Sequence, residues 1–152
     1  MQRLAALLAL VDSLAALAHV AANRQWTRPQ LQPLAPAEAE AEEEATAGAG
    51  RELVLEGARH PVVEAAVGSK YVASSLSLAG SDRVAVVTGP NMGGKSTFIR
   101  AVGVCALLAH VGSFVPADRA VIPLYDRLLV RMGATDSCLR GVSTFLVEMQ
   151  VQ

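Results

Sequence analysis

Apolar residues recur at Leu4, Leu7, Leu8, Val11, Leu14, Leu17 and Ala18, the spacing of one face of an amphipathic helix. The pattern then dissolves. Residues 27–50 hold Pro29, Pro33 and Pro36, an Ala/Glu run, and Thr46-Ala47-Gly48-Ala49-Gly50, a composition that buries little and predicts a disordered linker. From Arg51 the pattern becomes that of an α/β domain. Glu52 to Glu56 and Leu76 to Leu78 predict short strands, with a turn from Gly57 to Pro61 between them. Arg83 to Thr88 has no polar alternation through its centre, which predicts a strand covered on both faces. Thr97 to Val111 is apolar almost all round and predicts a buried helix ended by Gly112. Pro116 and Pro123 bracket a loop or edge strand, Tyr125 to Met132 predicts a further strand, and a new helix starts at Ser143. The fold class is therefore α/β, preceded by a long apolar helix, in three segments: 1–26, 27–50 and 51–152.

The first helix raises the question of a targeting segment, since it opens near Arg3 and ends in small residues. Asp12 and Ser13 leave only Leu4 to Val11 uninterrupted. We therefore expect a packing helix, too short and too interrupted to span a membrane, and no membrane role.

Composition narrows the function classes. At 152 residues with 52% hydrophobic content, the chain is long enough for one real core. The formal charge is −1, and five of the 14 acids sit in the run Glu38, Glu40, Glu42, Glu43 and Glu44. Setting those five aside leaves about +4, which is no nucleic-acid-binding stripe. Cys105 falls in the apolar helix and Cys138 in a loop, so both read as free thiols rather than a disulfide framework.

The chemistry is concentrated in Thr88-Gly89-Pro90-Asn91-Met92-Gly93-Gly94-Lys95-Ser96-Thr97, which matches G-x-x-x-x-G-K-[ST], the loop that wraps nucleotide phosphates. It lies between an apolar strand pattern and a helix, where backbone amides can converge on an anion. Gly93 and Gly94 allow close approach of the backbone. Lys95 can reach the β- and γ-phosphates, and the Ser96 hydroxyl can ligate a bridging Mg²⁺. The loop predicts binding of ATP with Mg²⁺ through Gly89, Pro90, Asn91, Met92, Gly93, Gly94, Lys95, Ser96 and Thr97. His19 and His110 have no recognisable constellation around them.

The run Gly-Pro-Asn-Met-Gly-Gly-Lys-Ser-Thr from Gly89 to Thr97 resembles the phosphate loop of the MutS family of DNA mismatch-repair ATPases. Arg59-His60-Pro61 is similar to that family's Arg-His-Pro turn, with His60 a structural hydrogen-bonding residue. Gly112 to Ala117 resembles the segment after its loop helix. Gly133-Ala134-x-Asp136, Gly141 to Phe145 and Glu148-Met149 resemble its signature loop and helix. The resemblance spans 51–152 and, more faintly, 4–28, where the first helix would be the end of a lever arm. Cys138-Leu139-Arg140 and Gly141-Val142-Ser143-Thr144-Phe145 look most like the common subunit of the eukaryotic mismatch-recognition heterodimers.

The resemblance implies a P-loop NTPase fold of ABC type, with Tyr71 stacking on adenine and Asn91 contacting the γ-phosphate or a water. Ala73-Ser74-Ser75 departs from the Pro-Asn or Ala-Asn usual there. Ser143 and Thr144 would face, in trans, the phosphate held by a second MutS-type subunit. The acidic Walker B strand would lie beyond Gln152, so 51–152 reads as the N-terminal part of the ATPase domain. No catalytic residue is then expected within the chain, and nucleotide binding without turnover is. Mismatched double-stranded DNA would be bound by regions preceding the helix. The compartment would be nuclear for a eukaryotic parent and cytoplasmic otherwise. Two further readings remain open: a partner-subunit interaction module, and a meiotic crossover homologue that does not act on mismatches. A general ABC-type ATPase is disfavoured by the Pro-Asn-Met-Gly-Gly and Ser-Thr-Phe pair.

Overall fold

Strand β4 (Arg119–Pro123) is the axis of the fold, because Ala120, Val121, Ile122 and Pro123 are all buried. A computed structural model describes residues 2–32, 52–79 and 82–131. Within them, β1 (Gln30–Gln32), β2 (Leu53–Ala58), β3 (Ser74–Leu78) and β4 form one mixed sheet in the order β1-β4-β2-β3. β1 runs parallel to β4, while β2 pairs antiparallel with both β4 and β3. The helices are α1 (Gln2–Asn23), α2 (Pro61–Val67) and α3 (Lys95–His110).

The core joins α3 to the sheet. Leu55 and Ala58 of β2, Cys105 and Ala109 of α3, Val115, Ala117, and Ala120 and Ile122 of β4 form one buried cluster. Each fully buried Leu or Ile in it contributes roughly 1.5–3 kcal/mol of transfer free energy. Cys105 is a free thiol, as expected, and burial pushes it up to about 12 against an opposing effect of the Arg59 charge. Cys138 lies outside the described residues.

Several expectations need correction. The span expected as a disordered linker begins with structure: Thr27 and Val115 exchange backbone hydrogen bonds of 3.0 and 2.9 Å, and β1 follows. The remainder, 33–50, lies outside the described residues. Because β1 supplies an edge, β4 is an interior strand rather than a loop or edge. Pro123 is tolerated as its last residue, since Leu124 N–H resumes the bonding by donating to Gln32 O at 3.0 Å. Gly57, expected in a turn, lies within β2 at an irregularity of register between Leu55 and Ala58.

Arg83 to Thr88 forms no strand, and Val84 and Val86 are about 80% exposed (78% and 83%). A strand exists only where a neighbour takes up its amides and carbonyls, and none of the four described strands lies against this segment. The same holds for 125–131, where Leu129 is 90% exposed. Helix α3 buries one face only, through Ala101, Cys105, Ala106 and Ala109, and leaves Ile99 and Leu107 exposed. Gly112 ends it as expected, with φ of 82°.

Helix α1 forms as the spacing predicts but does not pack as predicted. Leu4, Leu7, Leu8, Leu10, Val11 and Leu14 are all exposed, and only Ala21 is buried. Ser13 does not interrupt the helix, because its hydroxyl donates to Ala9 O one turn back at 2.8 Å. The helix is in consequence long and apolar enough to cross a membrane by length and composition, contrary to the expectation. Signal sequences and core helices share that property.

Candidate nucleotide-binding site

Helix α3 begins in the middle of the glycine-rich loop, and that placement gives the loop its chemistry. Gly94 occupies the N-cap in a left-handed conformation (φ 85°, ψ 6°) and has no side chain to bond the first amides. The helical ladder opens with Phe98 N–H donating to Gly94 O at 2.8 Å. Helical geometry therefore leaves the amides of Lys95, Ser96 and Thr97 pointing out of the helix start. They carry the positive end of the α3 dipole.

The turn ahead of the helix is tight. Gly93 N–H donates to Pro90 O at 3.1 Å, and a Cβ on Gly93 would stand 2.9 Å from that oxygen and 3.1 Å from Pro90 Cγ. Glycine is required there by close approach. Met92 takes a positive φ of 62°, an uncommon conformation for a side chain of its size. Lys95 curls back over the turn, its Nζ donating to Gly89 O at 2.6 Å and to Pro90 O at 2.7 Å. Residues 88–94 and Ser96 are solvent-exposed, and Thr97 is half-buried. The loop is thus a shallow cradle of backbone donors with one ammonium folded across it, a set that fits a polyanion.

Tyr71 is positioned by a different set of contacts. Its hydroxyl accepts from His60 N–H at 2.8 Å, which fastens it to the Arg59-His60-Pro61 turn. His60 also caps α2, with Nδ1 accepting from Val63 N–H at 3.4 Å. Burial, reinforced by the nearby charge of Arg100 on α3, holds the His60 imidazole below its ordinary pKa, consistent with an unprotonated Nδ1. The structural role expected of His60 is therefore the one observed. Ser143 and Thr144 lie outside the described residues.

The sequence reading missed two residues. His110 Nδ1 lies 2.7 Å from Ala106 O, Nε2 accepts from Tyr125 N–H at 2.8 Å, and the two rings stack at 5.7 Å. His110 thereby pins the exit from β4 to the end of α3. Arg59 reaches further along the chain. Its terminal nitrogens donate to Glu64 at 3.2 Å, to Gln25 O at 3.2 Å and to Arg24 O at 3.5 Å. Those last two acceptors are main-chain carbonyls 34 and 35 residues away, which no side-chain motif announces.

The family model described as MutS domain V matches residues 85–152. The chain is 45% identical over 150 residues to the DNA mismatch repair protein MutS of Erythrobacter litoralis. It is 41% identical to MutS of Geobacillus thermodenitrificans and 41% identical to the DNA mismatch repair protein msh-2 of Neurospora crassa. These alignments cover 97–98% of this chain and 15% of each relative, so the chain spans about a seventh of their length. Bacterial and fungal relatives match about equally well, and these identities do not single out the eukaryotic common subunit. Alignment over nearly the whole chain at 41–45% identity establishes that the chain belongs to the MutS family.

Proposed function

We propose that Gly89 to Thr97 binds the phosphates of ATP with Mg²⁺, and that the chain supplies this part of the nucleotide site of a mismatch-repair ATPase. The observation that carries the reading is the loop itself: a glycine forced by close approach, an uncapped helix start and Lys95 held over two carbonyls. Lys95 would exchange the Gly89 and Pro90 oxygens for the β- and γ-phosphates, a stronger, charge-assisted pairing. The amides at the start of α3 would hold the same phosphates, and the Ser96 hydroxyl would ligate the metal. Mg²⁺, when bound, neutralises charge between the phosphates. Tyr71 would stack on the base, and Ser143 with Thr144 would serve a site on a second MutS-type subunit. Binding of mispaired DNA belongs, on this reading, to the longer relatives' remaining sequence.

The test is equilibrium dialysis of Mg²⁺-ATP against the 152-residue chain and a Lys95→Ala variant. Saturable binding is expected, weakened about 10-fold or more in the variant, the equivalent of one charge-assisted contact of about 1.5–3 kcal/mol. Equal binding by both proteins would overturn the assignment of the loop. A second reading, an interaction module that uses no nucleotide, draws on the exposed apolar residues of α1. It predicts no saturable binding by either protein.

A further inference from the structure

Arg59 stands where four parts of the fold meet. It follows Ala58, the buried end of β2. Its own N–H donates to Pro116 O, in the segment between α3 and β4, at 2.8 Å. Its guanidinium spans from Glu64 on α2 to the Arg24 and Gln25 carbonyls at the end of α1. Arg24 O, at the C-cap of α1, is among the acceptors that a helix C-terminus leaves unsatisfied, and a cation there also meets the negative end of the dipole. Gln25 is left-handed (φ 52°), so the chain turns sharply at the point Arg59 holds. The hold is incomplete: Arg59 Nε is buried with no partner, and the bond to Arg24 O is long at 3.5 Å.

The peptide unit that joins Arg59 to His60 carries the N–H that donates to the Tyr71 hydroxyl. That unit is planar, so displacing its N–H rotates the Arg59 carbonyl with it. The Pro116 bond anchors Arg59 on its other side, which directs the rotation into Arg59 itself. His60 N–H thus links the Tyr71 ring through one peptide unit to the residue that grips the end of α1.

We propose that Arg59 is a positioning residue that transmits nucleotide occupancy, sensed at Tyr71, to the end of α1. The proposal rests on the reading that Tyr71 and the glycine-rich loop hold ATP. When the ring shifts to meet the base, the guanidinium changes its grip on the Arg24 and Gln25 carbonyls, and the turn after α1 changes its angle or its freedom. None of the Arg59 contacts is to the glycine-rich loop, so its effect on ATP affinity is limited to the coupling itself.

The chain contains one tryptophan, and it is Trp26, directly after Gln25. Its indole nitrogen is buried without a partner, so its fluorescence reports on this turn. The experiment measures Mg²⁺-ATP binding by dialysis and, in parallel, Trp26 emission and acrylamide quenching, on the full chain. In the wild type, Trp26 quenching should shift with the dialysis isotherm. Binding by Arg59→Met should remain saturable, with affinity changed by no more than the coupling factor, and lose the Trp26 shift, with Arg59→Lys restoring part of it. Tyr71→Phe, which removes the acceptor for His60 N–H, should alter Trp26 quenching with no nucleotide present.

Binding with a silent Trp26, or an intact shift in Arg59→Met, overturns the proposal while leaving the nucleotide reading in place. Unchanged quenching in Tyr71→Phe overturns it without reference to nucleotide, including where Arg59→Met does not fold. Absence of dialysis binding by the wild type removes the nucleotide reading, and the proposed trigger with it.

Discussion

His60 shows how much one residue can be asked to do. Its backbone N–H holds Tyr71, its Nδ1 caps α2, and partial burial with the charge of Arg100 lowers the pKa of the ring. Protonation removes the capping lone pair and adds a charge beside Arg100. The folded-state pKa lies below the ordinary value of about 6.5, so the unfolded chain takes up the proton first. The contribution of His60 to stability is therefore present above about pH 6.5 and is lost as pH falls from there through the folded-state value. His60→Asn keeps an N-cap acceptor that does not titrate. Urea unfolding between pH 7.5 and 5 should show the wild type losing stability more steeply than this variant. Parallel profiles would mean that His60 carries no such linkage. Neither contact is read from the sequence: the expected turn ends at Pro61 with no helix after it, and the Tyr71 Oη contact lies 11 residues on.

Elements were legible in the sequence where local pattern and tertiary setting agree. α1, α3 and the core of β2 follow from spacing, and the loop at 88–97 from its glycines, because those signals are local. Strand pairing is a property of two segments at once, and there the reading failed in both directions. Gln30 to Gln32 carries no strand signal beyond its neighbours and yet lies beside β4, since the Thr27–Val115 bridge delivers it there. Val84 to Val87 and Leu128 to Val130 carry the pattern but have no described neighbour to pair with. The difference is measurable in stability. Leu55→Ala, at a fully buried position of β2, should cost about 2–5 kcal/mol in chemical unfolding. Leu129→Ala, in the expected strand that does not form and 90% exposed, should change stability by no more than about 0.5 kcal/mol. A comparable loss at Leu129 would show that 125–132 is packed in solution after all.

At the scale of the whole molecule, the described fold is lopsided. Its dense part is the sheet with α3, while α1 extends an apolar surface into water, with Leu4, Leu7, Leu8, Leu10, Val11 and Leu14 each more than half exposed. Toward its C-terminal end, α1 borders an open apolar groove of about 450 Å³, where Leu14, Leu17 and Ala21 face Trp26 and Phe114. The chain spans only 15% of its relatives' length, and the function proposed for it concerns the other end of the fold, at the start of α3. The exposed apolar face of α1 at Leu7 and Val11, remote in sequence from the carbonyls Arg59 holds, is therefore separable from the loop by mutation. Contiguous apolar surface on this scale drives association in water, and charge placed within it opposes that. Leu7→Glu combined with Val11→Glu, one turn apart on a single face, should shift the sedimentation coefficient toward that of a 15.8 kDa monomer. The same variant should bind Mg²⁺-ATP with unchanged affinity, because neither residue contacts the loop. A wild type already monomeric across the concentration range would show that the α1 face finds cover within the chain. A loss of ATP binding in the variant would show that the ends are not independent, and that α1 shapes the nucleotide site as well as answering to it.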